Sequence, residues 1–135
     1  MKALDTPVLL AILEGAAGSK ELLRRLRGEE LATTEANLLE LEYLVARGPE
    51  KHRRSRRDAI TRLRRKITVL PVDARAVDVC SHYLGKGAET APPLVCAMMG
   101  ALEATGCAEL LTHDLPVPMG RWKVRVTRIQ FRHSQ

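Results

Sequence analysis

Five short apolar runs, each too brief for a helix, are spaced along this chain by stretches with helical periodicity. They fall at residues 2–4 ("KAL"), 30–33 ("ELAT"), 66–73 ("KITVLPVD"), 107–114 ("CAELLTHD") and 122–131 ("WKVRVTRIQF"). The third is rich in β-branched residues and the last alternates, as strands do. Parallel strands need a crossover long enough to hold a helix, so strands that alternate with helices build a parallel sheet. The fold class expected is therefore α/β, with a central, mainly parallel sheet of about five strands and helices on both faces. At 135 residues and 45% hydrophobic content, the chain is expected to form one domain spanning residues 1–135.

The helical stretches carry their own punctuation. "TPVLLAILEG" has Thr6 to cap it, Pro7 in its first turn and Gly15 to stop it. "KELLRRLR" follows, with leucines at helical spacing. Thr34 opens "TEANLLELEYLVARG", which Gly48 closes, and Asp73 is placed to cap "ARAVDVCSHYLGKG". "GKGAETAPP" reads as a loop. "LVCAMMGALEATG" is almost uncharged, so it is expected to be buried on most sides. The final "RHSQ" is expected to be a short tail.

Charge narrows the function classes. The formal net charge is +6 and the pI near 9.7, a balance that favours polyanionic partners. Residues 51–66 hold nine of the 22 lysines and arginines, Arg53, Arg54, Arg56 and Arg57 among them. Such a run either contacts RNA phosphates or forms a solvated helix face with Ile60 and Leu63 turned inward, and it could also dock an acidic partner. The absence of aromatics within it argues against a stacking platform for single strands. Cys80, Cys96 and Cys107 show no CxxC spacing, so they are expected to be free thiols of a reducing cytosol. No run approaches the roughly 18 apolar residues of a membrane span, and a soluble, cytoplasmic protein is expected. The lack of a Gly-rich phosphate loop speaks against a nucleotide hydrolase.

The carboxylates are more informative. In an open parallel sheet the functional crevice lies beyond the carboxyl ends of the strands. Asp5 ends the first predicted strand and Asp114 the fourth, which places both on one rim. Glu40, on the helix after the second strand, lies opposite the wet face marked by Glu35 and Glu42, beside Ala36, Tyr43 and Leu44. A carboxylate among apolar neighbours needs a partner. Arg47, two turns along, is one candidate; a divalent cation is the other. Three converging carboxylates suit Mg²⁺ or Mn²⁺, hard cations that prefer oxygen ligands. Taken singly, Asp5 could be a helix cap and Asp114 the start of a turn before Pro116.

These residues match a known pattern. "LDTPVLLAILEG" resembles the opening of PIN-domain proteins, where a strand ends in aspartate before an apolar helix. "ATTEANLLELEYLVARG" is similar to their second signature and places its glutamate at Glu40. "GALEATGCAELLTHD" is similar to the closing signature, with Thr112 and Asp114 in Thr-x-Asp. The resemblance covers essentially the whole chain and extends to the VapC toxins of toxin–antitoxin pairs. It implies a metal-dependent ribonuclease acting on RNA through Asp5, Glu40 and Asp114. Thr6 and Thr112 would support that shell, and a cognate antitoxin and a homodimer are the implied partners. Two departures stand out. Val95 occupies the place of the family's fourth acidic residue, with Glu89 a few residues upstream, and Pro7 stands where asparagine is usual.

Two functions of different classes follow. One is a PIN-type nuclease working with three acids. The other is a PIN-fold protein that has lost catalysis and binds RNA or protein.

Overall fold

The computed structural model describes residues 1–113 and 122–131. Among these, five strands, β1 (Lys2–Leu4), β2 (Leu31–Thr34), β3 (Thr68–Leu70), β4 (Glu109–Thr112) and β5 (Arg125–Arg128), form one sheet in the order β3-β2-β1-β4-β5. All four pairings are parallel. The described residues also form six α-helices: α1 (Thr6–Glu14), α2 (Ser19–Arg25), α3 (Glu35–Arg47), α4 (Glu50–Arg64), α5 (Ala74–Tyr83) and α6 (Pro93–Ala104). The expected α/β architecture is the one observed, three layers with the sheet in the middle.

The pleat divides the core in two. Ala3 and Leu110 turn to one face and pack with Val95, Met98, Met99 and Leu102 of α6. Their neighbours Leu4 and Leu111 turn to the other and pack with Val8, Leu9, Leu22 and Ile60 from α1, α2 and α4. Alternation with period two is what allows a strand of three residues to serve both layers. The uncharged segment around Met98 is buried on most sides, as its composition requires. On the outer layer α5 crosses α6 at Gly100, where a Cβ would lie 2.4 Å from the Ala76 carbonyl oxygen.

Several predicted boundaries shift. The last strand is shorter than the alternating segment, and the third stops before Pro71, which has no N–H for the ladder. A 3₁₀ turn, Ala88–Thr90, lies within the predicted loop. Asp5, not Thr6, caps α1: its Oδ1 accepts the Val8 N–H at 3.1 Å. The Thr6 hydroxyl points inward and donates to the Asn37 carbonyl at 3.4 Å. Thr34 and Asp73 cap α3 and α5 as expected. Among the described residues, no helix is long and apolar enough to cross a membrane.

Helix α3 decides where a site can form. It begins directly after β2, at the C-terminal edge of the sheet, and packs against both α1 and α6. The first turn of α3 therefore meets Thr6, just after the end of β1, through Asn37.

Candidate active site

At the end of β1, Asp5 is fully buried, with 0% of its surface exposed. One carboxylate oxygen caps α1, and the other accepts the hydroxyl of Thr112 at the end of β4. Burial pushes the Asp5 carboxyl up from 3.8 to about 6. The hydrogen bonds from Thr112 and the Val8 N–H, with the nearby His113, work in the other direction, and the charge of Glu40 adds to the rise. The two alternatives for Asp5 thus coexist: it is a helix cap, and it is also a buried, perturbed acid at the strand ends.

A chain of polar side chains ties α3 to this point. The Thr34 hydroxyl donates to Asn37 Oδ1 at 2.6 Å and accepts the Asn37 N–H at 3.2 Å. Asn37 Nδ2 donates to the Thr6 hydroxyl at 3.2 Å and to Met98 Sδ at 3.3 Å. Thr33 donates to the Leu4 carbonyl at 2.8 Å. These bonds lock β1, β2, α3 and α6 together, and buried polar networks satisfied in this way are stiff.

Glu40 stands one turn beyond Asn37, half-buried. With Ala36 and Asn37 it faces Leu94, Val95 and Met98 of α6 across a narrow hollow. Val95 thus lies opposite Glu40, with only 5% of its surface exposed. Arg47, the alternative partner for Glu40, lies over the Tyr43 ring, its Cζ 5.5 Å from the centroid.

The remaining predicted residues separate. Asp114 lies outside the described residues. Arg56 turns toward α1, 3.8 Å from Glu14. Arg53 and Arg57 border the groove between α3 and α4, and Arg54 is exposed on α4. His113 packs edge-on against Phe131, with its Nδ1 2.8 Å from the Ile129 carbonyl. Asn37 is the residue that sequence reasoning missed. Its signal was available: the Thr34-x-x-Asn37 spacing of a capping pair, with the amide on the face that carries Leu41.

Hard oxygen donors are what Mg²⁺ and Mn²⁺ require, and the hollow offers Glu40 and the Asn37 amide among the apolar Ala36, Leu94, Val95 and Met98. Asp5 and Glu40 are close enough for one charge to raise the other's proton affinity, a repulsion that a divalent cation held by these residues would offset. Among the described residues, no three His, Cys, Asp or Glu side chains are grouped closely enough to hold a metal ion.

The model of the PIN domain matches residues 2–91, two-thirds of the chain. This chain belongs to the PIN domain family. The matched span contains Asp5, Asn37 and Glu40. Solved structures agree on the PIN fold. VapBC2 from Rickettsia felis, bound to a promoter DNA fragment, aligns with a TM-score of 0.77 at 12% identity, over 96% of this chain and 98% of that one. VapBC-5 from Mycobacterium tuberculosis aligns at 0.71 and 22% identity, over 95% and 98%. VapC20 from the same organism, a toxin that cleaves the sarcin–ricin loop, aligns at 0.61 and 18% identity, over 82% and 87%. At such identities the likeness speaks to the fold. Among curated proteins, none matches the sequence.

Proposed function

We propose that this PIN domain is a metal-dependent endoribonuclease in which Asp5, Glu40 and Asp114 hold Mg²⁺ or Mn²⁺. The supporting observation is the Asp5 carboxyl, buried at the end of the central strand and raised to about 6 with Glu40 beside it. Perturbed acids at the strand ends of an α/β sheet are a recurrent mark of function. When bound, a divalent cation supplies Lewis acidity toward a phosphodiester and neutralises the charge that develops there.

The protein's part is placement. Thr112 and the Val8 N–H fix both oxygens of Asp5, so its carboxylate has one orientation. The positive end of α1 favours its ionised form. The Thr6–Asn37–Thr34 chain holds the start of α3, and with it Glu40, against the start of α1. The VapBC relatives support a cognate antitoxin as partner, and the VapC resemblance supports a homodimer.

Val95 favours a second reading, a binding module that has lost catalysis. A buried valine faces Glu40, and fewer carboxylates hold a cation less tightly. Cleavage of a panel of single-stranded and structured RNAs, with Mn²⁺, Mg²⁺ or EDTA, separates the two. Metal-dependent cutting that disappears in Asp5→Asn is the result expected of the nuclease. A folded but inert chain that gains cleavage on Val95→Asp would establish the decayed site.

A further inference from the structure

The groove between α3 and α4 has two unlike walls, and the carboxylate hollow uses neither. On the α3 side stand Leu39 and Tyr43, which keep 67% and 59% of their surface exposed. On the α4 side stand Arg53 and Arg57, and together these side chains border a cavity of about 410 Å³. The Arg47 guanidinium lies over the Tyr43 ring. A second cavity, of about 380 Å³, continues past Leu39 toward Arg64.

An aromatic, apolar wall facing a cationic one matches a polymer with flat apolar faces on one side and anionic groups on the other. A single-stranded nucleic acid has that shape, since its unpaired bases stack on aromatic rings and its phosphates track basic side chains. Glu42 lies on the α3 wall. A carboxylate there repels phosphate and accepts base amino groups, which sets the bases toward α3 and the backbone toward α4. Arg53 and Arg57 are one helical turn apart, about 6 Å along the axis at 1.5 Å per residue, a spacing close to that of phosphates in an extended strand. Tyr43 follows Glu40 by three residues on α3, so the two are neighbours on the helix surface. Tyr43 is thus the edge of the groove nearest Glu40, while Glu42 and Glu35 line the face of α3 turned away from the hollow.

We propose that this groove is a track for single-stranded RNA, with Tyr43 stacking a base and Arg53 and Arg57 holding phosphates. The identity of the polyanion rests on the ribonuclease reading. In sequence, residues 51–66 hold arginines with no aromatic between them and offer no stacking platform; the fold supplies the aromatic from α3.

The test uses the full chain carrying Asp5→Asn, so that RNA is bound and not cut. Fluorescence anisotropy with a labelled single-stranded RNA and its duplex should show preference for the single strand. Tyr43→Leu keeps an apolar side chain and should weaken binding roughly tenfold, within the range that base stacking supplies; Tyr43→Phe should retain it. Replacing Arg53 and Arg57 by Gln should flatten the dependence of log affinity on log salt by about 1.4, at about 0.7 for each phosphate no longer neutralised. Unchanged affinity in Tyr43→Leu overturns the proposal and leaves the nuclease reading standing, because metal-dependent cleavage of the same RNA by the unmutated chain is scored separately. Absence of RNA binding by the parent overturns it whatever the cleavage assay gives. If Tyr43→Leu instead converts two copies to one in light scattering without altering RNA affinity, the groove is an interface between protein copies and the proposal fails.

Discussion

Replacing Asp5 by asparagine should make the fold more stable above pH 6 and leave it nearly unchanged below pH 4. Burial holds the Asp5 carboxyl near 6 against an ordinary 3.8, so the folded chain binds this proton more tightly than the unfolded chain. Stability then falls as pH rises from about 4 to about 6 and levels off above, because ionisation is free in the unfolded state and opposed in the folded one. At ~1.36 kcal/mol for each tenfold change in proton affinity, the gap corresponds to about 3 kcal/mol at neutral pH. Asparagine keeps an oxygen for the Val8 N–H, and the Thr112 hydroxyl can turn to accept from the new amide. The gain at pH 8 should therefore lie between ~1 and ~3 kcal/mol.

Urea denaturation of parent and variant at intervals from pH 4 to pH 8, without divalent cations, measures it. The difference between the two curves is the quantity to follow, because other groups have opposite slopes. Glu109, for example, is held below its ordinary value by the Thr127 hydroxyl and by Arg125, so its contribution is present at neutral pH and lost as pH falls through its folded value. A difference that is flat across the range, or one that grows toward acid, would refute the reasoning. Repeating the series with Mn²⁺ adds a second check: a cation held by the Asp5 carboxylate should stabilise the parent at pH 8 and not the variant.

Gly100→Ala should lower stability by about 1–3 kcal/mol, because the new Cβ meets the Ala76 backbone oxygen and the crossing of α5 over α6 must open; thermal unfolding checks it. Thr34→Ala removes the cap of α3 and the partner of the Asn37 amide, at a cost of about 1–2 kcal/mol by chemical denaturation. On the proposed nuclease reading, RNA cleavage by Thr34→Ala should fall further than this loss explains, since Glu40 rides on the helix that Thr34 anchors.

The sheet was legible because its cause is local. Short β-branched and apolar runs separated by helical stretches leave few alternatives to a parallel sheet, and the caps at Thr34 and Asp73 are chemical signals within three residues of their targets. Asp5 is legible as a residue at a strand end, but its neighbour Thr6 reads as the cap. The two differ only in which side chain turns outward, and that is settled by Asn37, thirty-one residues away, whose carbonyl takes the Thr6 hydroxyl. Asn37 carries a capping signal in the Thr34-x-x-Asn37 spacing, but that its amide turns inward to Thr6 and Met98 shows only once the opposing helices are in place. The groove of Tyr43 and Arg53 is illegible for the same reason: each residue is ordinary in its own segment, and only the packing of α3 against α4 makes a wall of each.

Val95 acquires a physical sense from the state of Asp5. The Asp5 carboxyl stands near 6 with Glu40 beside it, so it is mostly ionised at neutral pH only by a narrow margin. A further carboxylate where Val95 lies, across the hollow from Glu40, would add like charge in a buried setting and push that proton affinity higher. Without a cation, such a hollow would keep a proton or lose stability. Valine removes that dependence and contributes apolar packing with Met98 and Leu102 instead. The substitution therefore makes the metal-free fold easier to hold while it lowers the negative charge available to a cation. On the nuclease reading proposed above, its consequence lies in metal affinity rather than in architecture: a site built on Asp5, Glu40 and Asp114 should need more Mg²⁺ or Mn²⁺ than one with four acids, with the same helices and strands around it.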